Sequence, residues 1–473
     1  MSRFGRRDFL RGSAAAVGAL AAVHARADNR VARPLVPDPK GILELPEGFS
    51  YQVVSRSGMR MDDGYRLPGR PDAMGCFPGP GGSLVLMRNH EVFEGDHAQS
   101  PYFPGQEPPP EAYDPAGTGG VTRVILDAET LTVKRQNLVL AGTYWNCAGG
   151  LSPWGWLSCE ETNTPSHGYV FLCPTDAPGL VEAKPIRGYG RMRHEAATVH
   201  PDTHVAYLTE DRPDGCFYRF VPHERDRPFE GKLQALRIVG RRNVETSEAP
   251  RGERMRVDWV DIDVPDTPDD SARLQGFAKG AARIRRGEGL WRSGDDIFFC
   301  ATTGGPLGLG QVLRLRTGEH ETLEVVAQSE DPAVLEMPDN LCVSPRGQVY
   351  VAEDGGGENH LRRITLDGQV IDFARNVLSG SELCGPCFSP DGRTLFVNIQ
   401  MDGLTLAIRG PFEQELAMER ELPRAQPRDD GPDWGRAARG GGLGLSVLAL
   451  AALARARRRA VDAVSGDGES PEP

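Results

Sequence analysis

One short pattern recurs along almost the whole chain: an apolar residue, a turn rich in Pro and Gly, an apolar run of strand length, and then side chains able to bind metal. Phe77-Pro78-Gly79-Pro80-Gly81-Gly82 leads to Arg88-Asn89-His90-Glu91, and Leu151-Ser152-Pro153-Trp154-Gly155 leads to Cys159-Glu160-Glu161. Val199-His200-Pro201-Asp202 leads to Glu210-Asp211, and Trp291-Arg292-Ser293-Gly294 to Cys300-Ala301-Thr302-Thr303. Val343-Ser344-Pro345-Arg346-Gly347 leads to Glu353-Asp354, and Phe388-Ser389-Pro390-Asp391-Gly392 to Asn398-Ile399-Gln400. Six strands that end in carboxylate, thiol or amide at the same relative point imply a shared axis on which those ends converge.

The shorter intervals between these strand ends approach the roughly 40–45 residues of a four-stranded propeller blade. The longer ones leave room for insertions, expected at 92–118, rich in Pro and Gly, and at 241–286, polar and charged. Between the repeats, Val121–Leu126, Gly168–Leu172, Phe217–Val221, Gln311–Arg316, Leu361–Leu366 and Leu404–Arg409 alternate or run apolar, as strands do. The 57 glycines and 38 prolines punctuate short apolar runs and disfavour long helices. The fold class expected is all-β, a six-bladed β-propeller with loop insertions, with five or seven blades as the alternatives. Radial repetition lets one domain reach this length without thickening its core.

The two ends stand apart from that domain. Ser2-Arg3-Phe4-Gly5-Arg6-Arg7-Asp8-Phe9-Leu10 has the form of a twin-arginine leader, the apolar stretch 12–23 is too short to span a bilayer, and Ala25-Arg26-Ala27 fits signal-peptidase cleavage. That route exports folded proteins, so a cofactor can be loaded before export. The expected division is a leader at 1–27, a propeller domain at 28–422, a linker at 423–439 and an apolar, basic tail at 440–473. The apolar run Gly440–Ala454 would make a helix about 22 Å long, short of a roughly 30 Å hydrocarbon core, and Arg455 and Arg457–Arg459 follow it. It reads as a membrane anchor or a cell-surface sorting tail, and it resembles the Gly-rich, Arg-ended tails of surface-sorted bacterial proteins. The localisation expected is periplasmic or cell-surface, through the twin-arginine export machinery.

A formal charge of −12 argues against nucleic acid as a partner and suits a chain that holds cations. Nine cysteines, an odd number, leave at least one thiol outside any intramolecular disulfide framework. Cys159, between an apolar strand and paired glutamates, is the candidate. Cys384-Gly385-Pro386-Cys387 has thioredoxin-like spacing but precedes a turn and a strand instead of opening a helix, so it reads as a disulfide or two buried thiols.

Carboxylates crowded on a propeller axis repel one another unless cations neutralise them. Glu160-Glu161, Glu210-Asp211 and Glu353-Asp354 are adjacent pairs, and neighbouring residues on a strand face opposite ways. One member of each pair would ligate while the other faces a second ion or the surroundings. A thiolate among carboxylates suits iron or zinc, whereas all-oxygen positions suit calcium.

Taken together, Asn146-Cys147-Ala148-Gly149-Gly150, Trp156-Leu157-Ser158-Cys159-Glu160-Glu161, Gly190-Arg191-Met192-Arg193-His194-Glu195-Ala196, Glu288-Gly289, Pro338-Asp339-Asn340, Glu353-Asp354-Gly355 and Phe396-Val397-Asn398-Ile399-Gln400 resemble the signature run of the PhoX-type alkaline phosphatases. The resemblance spans roughly residues 45 to 410. It implies an exported phosphatase that hydrolyses phosphate monoesters at iron and calcium ions in a propeller channel. On this resemblance Cys159 is the iron-binding cysteine, and Glu160, Glu161, Glu195, Glu210, Asp211, Glu288, Glu353 and Asp354 are metal ligands undivided between iron and calcium. Asn89 falls near the substrate phosphate, and Arg191 and Arg193 are the leading phosphate-binding arginines, with Arg88 and Arg362 as further candidates. The chain departs from the pattern in a Trp-Gly stretch one residue short and in Met401-Asp402-Gly403, where the family carries His-Pro-Gly. The competing readings are a calcium-dependent lactonase or esterase, which has no need of a thiolate, and a non-catalytic, calcium-stabilised surface propeller.

Overall fold

The computed structural model describes residues 33–414; the leader, the linker and the tail lie outside them. The chain forms an all-β, propeller-like fold built from antiparallel meanders. Pro71–Pro78, Ser83–His90, Gly119–Asp127 and Val133–Thr143 make one four-stranded sheet, and Asn146–Ser152, Gly155–Glu160 and Val170–Cys173 a three-stranded one. Leu383–Phe388, Thr394–Ile399 and Leu404–Arg409 form another sheet, whose outer strand is Ser50–Arg56 from the far end of the chain. That pairing ties the two ends of the domain together. Buried Arg88 reinforces the closure by donating through Nη1 to Ser55 Oγ at 2.6 Å and Thr405 Oγ1 at 2.5 Å.

The six blades expected do not stand as six separate sheets: hydrogen bonding defines five among the described residues, because one sheet of nine strands joins two meanders. In the nine-stranded sheet, Arg254–Asp261 pairs on one side with Gly231–Ile238 and on the other with Thr322–Gln328, joining two meanders. This joining strand comes from the insertion expected to be polar loop. Its sequence alternates charged residues with Met255, Val257 and Trp259, the first two buried and the third packed against the same core, so period two was present beneath a charged composition. The same insertion carries the short helix Ala272–Ala278. The insertion at 92–118 contains no strand.

The first strands of the meanders, Pro71–Pro78, Asn146–Ser152, His194–Val199, Gly287–Ser293, Pro338–Val343 and Leu383–Phe388, touch one another in that order, and the last touches the first. They surround an axis. Between the sheets lies the apolar core, where Trp156, Phe171, Phe217 and Phe299 are buried and the Phe217 and Phe299 rings stack at 4.3 Å. Each such ring contributes about 1.5–3 kcal/mol by leaving water. The core is therefore in the sheets, and the axis is left to polar residues.

Candidate metal centre

Every axial strand is irregular near its start. The ladder shifts register after Pro71, Asn146, His194, Gly287 and Pro338, and after Cys384 in the last strand. Such a bulge re-aims the side chain it frees. The freed residues are Asp72, Cys147, Glu195, Glu288 and Asp339, and Cys384 follows the first pair of its own strand, Leu383 with Ile399. Across each first pair, the neighbouring strand hands over one more residue on leaving the sheet: Glu91, Glu161, Asp211, Thr302, Asp354 or Gln400.

These groups meet around an axial pocket of about 310 Å³, whose lining includes Asp72, Glu91, Cys147, Glu161, Arg286, Glu288, Asp339, Asp354, Glu382 and Gln400. Ligand atoms of Asp72, Glu91 and Cys147 lie within 4.8 Å of one another, as do those of Cys147, Glu161 and Glu195, and those of Glu195, Glu288 and Asp339. Two unit charges 4.8 Å apart repel by about 3.5 kcal/mol even at an effective dielectric constant of about 20. Both oxygens of buried Glu195 lack a hydrogen-bond partner, the nearby Cys147 thiol being turned to Asp72 Oδ2 at 3.7 Å. Oδ1 of Asp72 is likewise unpartnered.

Without cations, burial favours the protonated form of these carboxyls. Burial, and then the neighbouring carboxylates, push Asp72, Glu195 and Glu288 well above the usual range, and burial does the same to Glu161 and Glu382. Burial raises Glu91 and Asp339 to about 7. Asp211 is the exception. Burial would raise it, but the Arg286 guanidinium more than offsets this and holds it low. Arg286 donates Nε and Nη2 to Asp211 at 2.9 and 3.0 Å, and Nη2 also reaches Glu288 Oε1 at 2.7 Å. Its backbone sits at φ +52°, in the left-handed region that costs a branched or bulky residue energy.

The geometry divides the expected site residues. Glu161, Glu288 and Asp354 line the pocket, Glu195 lies within ligand distance of Glu161 and Glu288, Asp211 joins them through Arg286, and Arg193 donates to Glu161 Oε1 at 2.5 Å. The first members of the acidic pairs do not join them, because the strand alternation turns them away from the axis. Glu160 accepts from the backbone N–H groups of Tyr144, Gly168 and Tyr169 and lies 2.6 Å from His167 Nδ1. Glu210 accepts from the Cys216 N–H and Tyr218 hydroxyl, and Glu353 from the Glu336 N–H and Arg362 Nε. These bonds hold loops, and the remaining oxygen of Glu210, Oε1, has no hydrogen bond but faces Arg273 Nη1 at 3.6 Å.

Cys159 also lies apart from the ligand groups, for a different reason: its surroundings are apolar. One residue before Glu160, it packs among Leu157, Val170, Tyr189 and Leu208 and belongs to none of the ligand groups. The thiol at the pocket is Cys147. Arg191 is spent on backbone, donating to the carbonyls of His167, Thr267, Pro268, Asn163 and Thr164. Asn89 is enclosed, donating Nδ2 to the Cys147 and Ala148 carbonyls at 3.2 and 2.6 Å and accepting from Trp156 Nε1. It braces the Cys147 bulge from behind. Arg88 bonds hydroxyls at the ring closure, and Arg362 pairs with Glu353 and Asp372.

Sequence reasoning placed Glu91 at a metal-capable strand end without giving it a role, and missed Asp72, Cys147, Arg286, Asp339 and Glu382 as site residues. A signal for the axial set was present: Cys147, Glu195, Asp339 and Cys384 each stand four residues before the apolar residue that opens a turn, Leu151, Val199, Val343 and Phe388. All nine cysteines are free and buried, so Cys384 and Cys387 are two thiols and not a disulfide.

A propeller-like β fold whose axis gathers carboxylates, a thiol and arginines defines a β-propeller with a candidate metal centre on its axis. The particular family follows from sequence: the profile of the alkaline phosphatase PhoX family matches residues 31–403, and the chain belongs to that family of phosphatases. PhoX of Pseudomonas fluorescens, solved in complex with vanadate, a transition-state analogue, superposes at a TM-score of 0.64 with 18% identity, over 81% of this chain and 98% of its own. A gluconolactonase of Xanthomonas campestris follows at a TM-score of 0.41, 13% identity and 80% and 98% coverage. The calcium-binding protein regucalcin of Agrobacterium tumefaciens stands at 0.40, 13%, 76% and 95%. No curated protein sequence matches the chain.

Proposed function

We propose that this chain is an exported, metal-dependent phosphatase that hydrolyses phosphate monoesters in the axial pocket of a six-bladed propeller. The blade count takes the nine-stranded sheet as two blades joined through Arg254–Asp261. The observation that carries the reading is Glu195, a buried carboxylate with both oxygens unpartnered between two ligand groups. The donor set fits metal: Cys147 with Asp72, Glu91, Glu161 and Glu195 suits iron, and the all-oxygen group Glu195, Glu288 and Asp339 suits calcium. Bound there, such cations would supply Lewis-acid stabilisation of phosphoryl charge and activation of water.

The chain's own residues do the positioning. Arg286, its Nε and Nη2 fixed by Asp211 and Glu288, presents a charged donor, Nη1, to a phosphate dianion without having to be ordered on binding. Arg193, held by Glu161 at the edge, offers a second one. Asn89 keeps the Cys147 backbone in its bulge. The twin-arginine leader supports export of the folded, loaded protein to the periplasm or cell surface, with the C-terminal tail as the means of attachment.

The test is elemental analysis of protein purified after native export, with turnover of a generic aryl phosphomonoester measured on the same sample. Iron and calcium are expected, with turnover lost on chelation and in Cys147→Ala. Calcium without iron, and no turnover, would overturn the reading in favour of a calcium-stabilised binding propeller.

A further inference from the structure

The ring of axial donors has a sixth member that the reading above leaves unused. Asp72, Cys147, Glu195, Glu288 and Asp339 each come from the bulge of an axial strand. In the sixth strand Cys384 stands at the edge of the bulge: it still pairs with Asn398, and the register shift begins directly after it. Its sequence position agrees, four residues before Phe388 as Cys147 is before Leu151. The sulfur of Cys384 and carboxylate oxygens of Asp72 and Glu382 lie within 4.8 Å of one another. Asp72 stands between two thiols, since its strand touches the Cys147 strand on one side and the Cys384 strand on the other.

Two further observations point to a ligand there. Oδ2 of Asp72 accepts from Gln400 Nε2 at 3.0 Å, but its buried Oδ1 has no partner. An unpaired carboxylate oxygen in the interior costs free energy unless something binds it. The approach of the two strands is also built into the backbone. Gly385 has φ +58°, and a Cβ there would meet the Asp72 carbonyl oxygen at 2.3 Å, so only glycine lets Cys384 come this near.

We propose that Cys384, Asp72 and Glu382 form a second thiolate–carboxylate position, taking a transition-metal ion, with Asp72 shared between it and the Cys147 position. The proposal rests on reading the pocket as a metal centre. Sulfur excludes calcium or magnesium as the preferred occupant, since these hard ions take oxygen. Binding replaces the thiol proton, which now satisfies the Pro71 carbonyl at 3.2 Å and leaves to solvent as the metal–sulfur bond forms.

The test is titration of the metal-free, full-length chain with cobalt(II), reading thiolate-to-metal charge-transfer absorption and bound cobalt. Wild type is expected to show two thiolate contributions, with Cys384→Ser and Cys147→Ser each removing about half and the double variant all. Cys384→Asp, which installs a residue the ring already uses at two places, is expected to keep the bound cobalt while losing the same half. This variant gives a second reading of the same position if the serine variant misfolds. Full absorption in both Cys384 variants, or none left in Cys147→Ser, would overturn the second position and leave the metal centre standing. A wild-type chain with no such absorption would instead sink the thiolate-bearing centre itself, and this inference with it.

Discussion

Cys147 and Cys159 are both fully enclosed, yet their surroundings assign them different work. Cys147 faces Asp72, Glu161 and Glu195, while Cys159 faces leucine, valine and tyrosine. Cys147→Ser is therefore expected to lower bound transition metal and turnover while changing unfolding of the metal-free chain little. Cys159→Ala is expected to do the reverse, costing roughly 1–2 kcal/mol in denaturant unfolding through a lost buried group and its cavity, with metal content unchanged. Measuring both properties on both variants separates the assignments; metal loss in Cys159→Ala alone would reverse them. Arg286 is a second case at this scale. Replacing it with glutamine removes the charge that holds Asp211 low and the charged donor offered to phosphate. A fall in kcat/KM of roughly a hundredfold or more is expected, the scale of losing one preorganised charged donor. A change of less than threefold would move the phosphate site elsewhere, with Arg193 next in line.

At the scale of the strand, acidic pairs were legible as strand ends, and so was their opposite facing. What could not be read was which member faces the axis. That depends on where the bulge falls, and a bulge is set by contacts between strands distant in sequence. Gly289 shows the constraint: a Cβ there would lie 2.6 Å from Asn340 Cα, on the neighbouring axial strand. Gly289→Ala is expected to force the two strands apart, costing roughly 1–3 kcal/mol in denaturant unfolding and lowering metal occupancy, because Glu288 and Asp339 flank the contact. Unchanged stability and metal content would show that the axial strands yield easily and that their glycines do not set the ligand positions. The strand Arg254–Asp261 was hidden for a different reason. Its buried residues alternate with arginines and aspartates that pair with Glu324 and Arg237, so its composition resembled a loop while its period was that of a strand.

For the molecule as a whole, closure turns many weak local choices into one concentrated electrostatic problem. Sheets that bury their apolar faces against each other leave the axis as the place where buried carboxylates collect, and the fold then depends on what neutralises them. The sign of that dependence can be worked out from Glu91 and Asp339. Both are raised by burial to about 7 in the folded, metal-free chain, from ordinary values of 4.5 and 3.8. A raised carboxyl gives stability that is full below its unfolded value and lost as pH climbs through its folded value. The metal-free protein is therefore expected to melt at a lower temperature at pH 8 than at pH 5. Cations reverse this, because they hold the carboxylates ionised and protons compete with them, so the loaded protein is expected to lose stability toward pH 5. Thermal unfolding with and without chelator at the two pH values tests both arms, and the chelator's effect should be the larger at pH 8. Equal melting temperatures for the chelated protein at both values would mean that the axial carboxylates find neutralising partners within the chain. The crowding would then be no argument for metal.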